Sequence, residues 1–333
     1  MKPELLSFKF ERLAATLDSR LLNDNPFGFT NPPGSRENPT MAHYLLVDGH
    51  NLAFRSFYGM PDLTRSDGFP TGALHGWIRT LWKLQDDEMP DVFVVFFDLG
   101  QSARHVELHA DYKATRVACP EALSDQLPYI RALTLAMGFG GVERDGVEAD
   151  DLIGSWAVRL AEQGDRVTIV SADKDLGQCI RNQVVHQLLP PPTANPKLGW
   201  RRIDEEALRA KLGVNPDQVP DYLALVGDSS DNIPGLAGVG PKTAAKWLQR
   251  YRNLEEIIAH CGELKPPRFQ AFVHAEQQNL RRNLLLTTID TRVPLGELKQ
   301  PSPDYEKLES LLQELEMHTA LRDARKRYES DRG

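Results

Sequence analysis

The segment Gly146-Val147-Glu148-Ala149-Asp150-Asp151-Leu152-Ile153 concentrates three carboxylates within four residues. An apolar series at Leu152, Ile153, Trp156, Ala157 and Leu160 follows, the pattern of an amphipathic helix ending near Gly164. If the turn is helical from Glu148, then Glu148 and Asp151 share a face with Asp150 beside them. One acid at a helix N-terminus needs no function beyond capping or complementing the macrodipole. Three exceed what a cap needs, and their mutual repulsion calls for a cation.

Further carboxylates stand where strands should end. Tyr44-Leu45-Leu46-Val47 reads as a buried strand closed by Asp48-Gly49, and Val92 to Phe97 as a second closed by Asp98. Between them Thr71-Gly72 opens a helix with apolar positions at Leu74, Trp77, Ile78, Leu81 and Leu84. Strand, helix, strand predicts a parallel pair with a right-handed crossover. Asp48 and Asp98 then lie at neighbouring carboxyl ends, where open α/β sheets bind ligands. Ser124 to Met137 reads as another helix, and Arg166 to Val170 as a third buried strand closed by Ser171-Ala172-Asp173-Lys174-Asp175. Any one of these acids could serve a local Asx turn. Converging from three strand ends and a helix start, they predict a divalent-metal site. Carboxylate oxygens suit Mg²⁺ or Mn²⁺, and no His or Cys cluster suggests zinc.

Two other segments suit phosphate. Gln101 to Pro120 is polar and aperiodic, with Arg104, His105, Lys113 and Arg116 around Tyr112. It is either a long solvated loop or an adaptable cationic segment for phosphate contacts. Helices are expected over Glu205 to Leu212 and Pro216 to Val226, followed by Gly227-Asp228-Ser229-Ser230-Asp231. Asp228 and Asp231, at i and i+3, could bind another cation or stabilise a turn. In Gly238-Val239-Gly240-Pro241-Lys242-Thr243 the glycines permit a tight hairpin, and Pro241 suits the first position of a helix running to about Tyr251. Free N–H groups there, with Lys242 and Lys246 for charge, make a helix-hairpin-helix that grips a nucleic-acid backbone without reading bases. Further helices follow over Leu254 to Cys261, Phe269 to Leu286 and Asp304 to Met317.

The 333 residues, 41% hydrophobic and 26% charged, leave room for two domains. A net charge of −8 does not exclude a polyanionic partner, because acids gathered on a metal site mask basic patches elsewhere. The three cysteines are far apart and in no metal spacing, which suggests a reducing compartment. No apolar run approaches a membrane span and no signal peptide is read, so a cytoplasmic location is expected. The expected domains are a disordered extension over 1–40, an α/β domain with the metal site over 41–200 and a bridging segment at about 101–120, a helical region that grips nucleic-acid backbone over 201–317 with the hairpin at about 225–251, and a charged tail over 318–333. Met41 directly precedes a strand, so the extension reads as dispensable or as the product of an upstream start.

The segments LLVDGHNLAFRSFY, VVFFD, RHVELHADYKATR, GVEADDLIG, SADKDLGQ and GDSSDNIPGLAGVGPKTA occur in this order. Together they resemble the 5′-nuclease family, which includes the N-terminal exonuclease domain of bacterial DNA polymerase I, its free-standing relatives and flap endonucleases. The resemblance runs from Tyr44 to about Leu315. It implies a PIN-like α/β core with a parallel sheet, a helical arch over the active site, and a mostly helical helix-hairpin-helix region that binds K⁺ and duplex DNA. The family's acidic positions match Asp48, Asp98, Glu148, Asp150, Asp151, Asp173, Asp175, Asp228 and Asp231. Main-chain K⁺ ligands fall at Leu225, Val226, Pro234, Leu236 and Val239. Lys113 and Arg116, with Arg104 in the same segment, would act on the scissile phosphate, and Gly238, Gly240, Lys242, Thr243 and Lys246 would hold DNA. Two Mg²⁺ ions, replaceable by Mn²⁺, would sit ~3.5–4 Å apart for in-line phosphodiester hydrolysis, yielding a 5′-phosphate product. The expected substrate is duplex DNA with a 5′ end, nick or flap, handled by a monomer with no polymerase domain in this chain. Gly177 departs from the larger residue common after Asp-Leu, and residues 1–40 have no counterpart. A PIN-type ribonuclease would not need the hairpin, and a non-catalytic DNA-binding protein could lose acids; both readings are carried as alternatives.

Overall fold

A run such as Leu45-Leu46-Val47, with no polar alternation, is buried only if both faces of its sheet are covered. The computed structural model, which describes residues 41–100, 102–115, 118–181 and 183–328, has that arrangement. The first half contains β1 (His43–Asp48), α1 (Gly49–Gly59), α2 (Gly72–Glu88), β2 (Val92–Leu99), α3 (Ala103–Leu108), α4 (Glu121–Ser124), α5 (Leu127–Ala136), β3 (Gly140–Asp145), α6 (Ala149–Glu162), β4 (Arg166–Val170), β5 (Val185–Leu189) and β6 (Arg201–Ile203). The sheet order is β3-β2-β1-β4-β5-β6, with β1 to β5 parallel and β6 antiparallel to β5.

The side chains of β1 and β2 alternate between two layers, as the pleat requires. Leu45, Val47, Phe93, Val95 and Phe97 join Leu74, Trp77, Ile78 and Leu81 of α2 on one face. Leu46, Val94 and Phe96 join Leu152, Ile153, Trp156 and Leu160 of α6 on the other. The chain runs outward from β1 to β2 and β3, then resumes at β4 on β1's other side. The carboxyl ends of β1 and β4 therefore form a topological switch point.

The remaining elements are α7 (Glu205–Leu212), α8 (Val219–Val226), the two-residue strands β7 (Gly227–Asp228) and β8 (Ile233–Pro234), α9 (Pro241–Tyr251), α10 (Leu254–Ala259), α11 (Arg268–Thr287), α12 (Tyr305–Glu314) and α13 (His318–Tyr328). The helices around the hairpin have their own core, in which Leu208, Leu223, Leu248, Ile257 and Phe269 are buried together.

Several elements differ from the sequence expectation. β3 is an edge strand in which only Gly140 is buried, and β6 is only three residues long, so neither carries an apolar run. The expected domain break at 200 falls inside the sheet, before β6. The expected charged tail at 318–333 is helical over His318–Tyr328; Ala320, Ala324 and Tyr328 pack into the core beside α2 and α12. Its apolar face is narrow, small residues plus one Tyr, and Arg322, Arg325, Lys326 and Arg327 dominate its composition. The expected extension at 1–40 lies outside the described residues. No described helix is long and apolar enough to cross a membrane.

Candidate active site

The helix of the acidic segment begins one residue later than its acids suggest, at Ala149. Glu148 is its N-cap residue but makes no side-chain cap. The first-turn N–H of Ala149 instead donates to Asp98 Oδ1 of β2 at 2.7 Å. Asp98 thus takes up the helix N-terminus from outside, and the three acids of the segment remain available for other work. Asp48, at the end of β1, accepts from Asn51 N at 3.0 Å and from Ser171 Oγ at 2.8 Å. Burial, reinforced by Asp98 and Asp173, lifts its pKa to about 7 despite those donors. Asp150 is raised well above the carboxylate range by burial and then by Asp173, Asp48 and Asp98. Asp151 Oδ1 accepts from Asp290 N at 2.7 Å, and burial raises its pKa against that bond. Asp173 follows the same rule: burial raises it, and the N–H of Asp175 at 2.9 Å opposes the rise. Carboxylates crowded in this way hold protons unless a cation takes their place.

A second group lies beside the first. Asp175, Asp228 and Asp231 each offer a carboxylate oxygen, all within 4.8 Å of one another. Asp175 Oδ1 is buried without a hydrogen-bond donor. Asp175 is raised well above its usual range by burial and by Asp173, Asp228 and Asp231. Burial would raise Asp228 too, but hydrogen bonds from Lys174 and Ser230 bring it below the usual value.

The described part of the bridging segment folds onto these acids. Tyr112, expected only as one member of a polar run, is buried against Leu108, Ile233 and Leu286. Its hydroxyl lies 3.2 Å from both Glu148 Oε2 and Asp231 Oδ2. Lys113 Nζ is 2.8 Å from Glu148 Oε1, and its N–H donates to Asp231 O at 3.1 Å. His105 Nδ1 stands 3.6 Å from Glu148 Oε2. Burial would raise Glu148, but His105 and Lys113 together pull it down to about 2. Arg104, expected to act on phosphate, donates to Leu285 O at 3.0 Å and so ties α3 to the end of α11. Arg116 lies outside the described residues.

The hairpin is built on a close backbone crossing. Gly227 has φ +82°, and a Cβ on Gly235 would run into the carbonyl oxygen of Val226 and the amide of Gly227. Of the expected K⁺ carbonyls, Leu225 O accepts from Leu236 N, Leu236 O from Val239 N, and Pro234 O from Asn283 Nδ2. Each carbonyl retains a second lone pair. Gly238 turns the chain at φ +76°, and Gly240 is the N-cap residue of α9 with no side chain to cover its N–H groups. Lys242 and Lys246 are exposed one turn apart, and Thr243 is half-buried between them. Sequence reasoning did not single out Ser171, Asn51, Gln178 or the Asp290 amide. Gln178 donates to Asp175 O and Thr287 O and accepts from Ile289 N, joining the acidic loop to the end of α11. Its place in SADKDLGQ was the only signal.

A mostly parallel α/β sheet with acids at its switch point, followed by a helical region, defines the class. Residues 43–213 match the family described as 5′-3′ exonuclease, N-terminal resolvase-like domain, and residues 214–306 match 5′-3′ exonuclease, C-terminal SAM fold. A 5′-3′ exonuclease of Aquifex aeolicus is 36% identical over 290 residues, 86% of this chain and 96% of that protein. DNA polymerase I of Thermus thermophilus is 38% identical over 282 residues; these are 84% of this chain but only 33% of that protein. Among solved structures, the T5 5′-exonuclease with divalent zinc ions bound has a TM-score of 0.61 at 22% identity, covering 85% of this chain and 98% of that one. The catalytic core of Rad2 in complex with DNA substrate has a TM-score of 0.52 at 13% identity, covering 83% and 88%. The chain belongs to the 5′-3′ exonuclease family. It is a nuclease of the 5′-3′ exonuclease class.

Proposed function

We propose that this nuclease hydrolyses phosphodiester bonds at or near the 5′ ends of DNA, using divalent ions held by its carboxylates. The observation that carries this reading is the gathering of acids from β1, β2, α6, the loop after β4 and the hairpin at the carboxyl ends of the central strands. The donor set fits hard cations: it is all oxygen, and Asp175 Oδ1 is buried with no donor. Asp48, Asp98, Asp150 and Asp173 would form one group of ligands and Asp175, Asp228 and Asp231 the other, with Glu148 and Asp151 alongside. Bound Mg²⁺ or Mn²⁺ would activate the attacking water and stabilise the leaving oxygen.

The chain's own groups set the geometry. Ser171 and the amide of Asn51 fix Asp48, the Ala149 amide fixes Asp98, and the Asp290 amide fixes Asp151. Lys113, next to Glu148, and Arg116, carried from the sequence, would offer positive charge to the reacting phosphate. Arg104 acts as a positioning residue at the foot of the arch. The hairpin with Gly238, Gly240, Lys242, Thr243 and Lys246 would hold duplex backbone, and the carbonyls of Leu225, Val226, Pro234, Leu236 and Val239 would take K⁺. In this reading the catalytic domain runs from 41 to about Ile203 and the DNA-binding region follows it, in a monomer. Incubation in Mg²⁺ with end-labelled blunt, nicked and 5′-flap duplex DNA, and with an RNA hairpin, tests it. Short 5′-phosphorylated DNA fragments are expected. Preferential cleavage of the RNA, or DNA binding without cleavage, would overturn the reading.

A further inference from the structure

Lys174 stands between Asp173 and Asp175, so an ordinary solvated lysine would turn outward there. Its ammonium instead lies 2.8 Å from Asp228 Oδ1, a carboxylate whose side chain is only 3% exposed. That places a positive charge on one member of the Asp175/Asp228/Asp231 cluster. Lys174 also lines an open cavity of about 460 Å³, together with Asn51, Thr115, Asp173, Ser229 and Ser230. The side-chain amide of Asn51 and the hydroxyls of Thr115 and Ser229 can donate to an anionic oxygen, while the Ser230 hydroxyl donates to Asp228 Oδ1. Among the described residues, Asp173 is the only carboxylate on this lining, and it belongs to the metal-binding set proposed above.

We propose that Lys174 is a resident counter-cation which a divalent ion must displace from Asp228, and that the displaced ammonium then contacts a DNA phosphate in the adjoining cavity. This rests on the reading of the acids as metal ligands. The ammonium, hydrogen-bonded to Asp228 Oδ1, occupies an oxygen a divalent ion in this cluster would use, and the two positive charges would repel there. With its side chain 38% exposed, Lys174 has room to leave, and the cavity it lines is adjacent. Metal occupancy and phosphate capture are thereby coupled: the lysine is withheld from phosphate until the cluster is filled.

Two measurements test this. Mn²⁺ binding to the DNA-free protein is followed by electron paramagnetic resonance for wild type, Lys174→Met, Lys174→Arg and Asp228→Asn. Removing the competing charge should tighten one Mn²⁺ site by up to about fivefold in Lys174→Met, the scale of one half-exposed ion pair, while Lys174→Arg stays near wild type. Binding of a 5′-flap duplex is then compared in Ca²⁺ and in EDTA. Lys174→Met should bind several-fold more weakly in Ca²⁺ and equally in EDTA, because without a divalent ion the lysine is tied to Asp228. Equal Mn²⁺ affinity in wild type and Lys174→Met, where Asp228→Asn lowers it, overturns the role of Lys174 alone. Mn²⁺ binding unaffected by Asp228→Asn overturns the metal reading of the cluster and this role with it. Equal losses of DNA affinity in Ca²⁺ and EDTA overturn the phosphate contact.

Discussion

Asp98 and Glu148 exchange the roles that their positions suggest. The residue directly before α6 does not cap it, and the strand-end aspartate takes up the first-turn amide. Asp151 also has one oxygen committed, to the Asp290 amide. An asparagine there can keep that acceptor while losing the negative charge. Asp151→Asn should therefore fold normally and bind DNA, while single-turnover cleavage falls by about 10²-fold or more, on the scale of losing one preorganised electrostatic group. Cleavage within twofold of wild type would remove Asp151 from the metal set. The acids were legible in the sequence because strand-end spacing is local information. The partners that aim them were not. Tyr112, the Asp290 amide and Gln178 reach the site from 36, 139 and 109 residues away from their contacts Glu148, Asp151 and Thr287. No periodicity encodes such a meeting.

The hairpin and the helices behind it depend on two features of different kinds. At Gly235 a methyl group has no space, since it would meet backbone of Val226 and Gly227 that cannot move without opening β7 from β8. Gly235→Ala should weaken DNA binding through the hairpin by about five- to a hundredfold, as a distortion of roughly 1–3 kcal/mol is transmitted to it. Unchanged affinity in a filter-binding titration would show that the crossing does not matter for binding. Asp221 of α8 accepts from the Leu254 amide, and burial lifts its pKa to about 6. The folded state therefore holds this proton more tightly than the unfolded state does. The corresponding stability is present at low pH and is lost as pH rises through about 6. Asp221→Asn keeps an acceptor for Leu254 and removes the buried charge. It should raise stability at pH 8 by up to about 3 kcal/mol and change little at pH 4, as urea unfolding at both values would reveal. A destabilised variant at pH 8 would contradict this. The glycine turn and Pro241 made the hairpin legible in the sequence. The buried acid behind it was not, because its partner is the start of a separate helix, α10.

Across the whole molecule, the last described helix closes the first layer of the core. Tyr328 OH donates to Met137 O at 3.1 Å and accepts from Trp82 Nε1 at 3.2 Å, which links α13 to α5's end and to α2. Tyr328→Ala should cost about 3–5 kcal/mol, as for other large buried aromatics, and leave cleavage at 25 °C unaffected. A melting temperature equal to wild type would show that α13 is dispensable to the core. The parallel sheet and both of its covering layers follow from the uninterrupted apolar strands. Asp304 to Met317 reads as a packing helix and α12 does pack there, whereas the return of α13 to that core was hidden by its charged outer face. What the molecule does with this scaffold turns on whether the acids at its switch point work through divalent ions. Single-turnover cleavage of a 5′-flap DNA, measured in EDTA, in Mg²⁺, and in Mg²⁺ with Asp48→Asn, decides it most directly. The expected result is no product in EDTA, a 5′-phosphorylated fragment in Mg²⁺, and loss of that product in Asp48→Asn. Cleavage that persists in EDTA, or an Asp48→Asn enzyme as fast as wild type, would contradict the account.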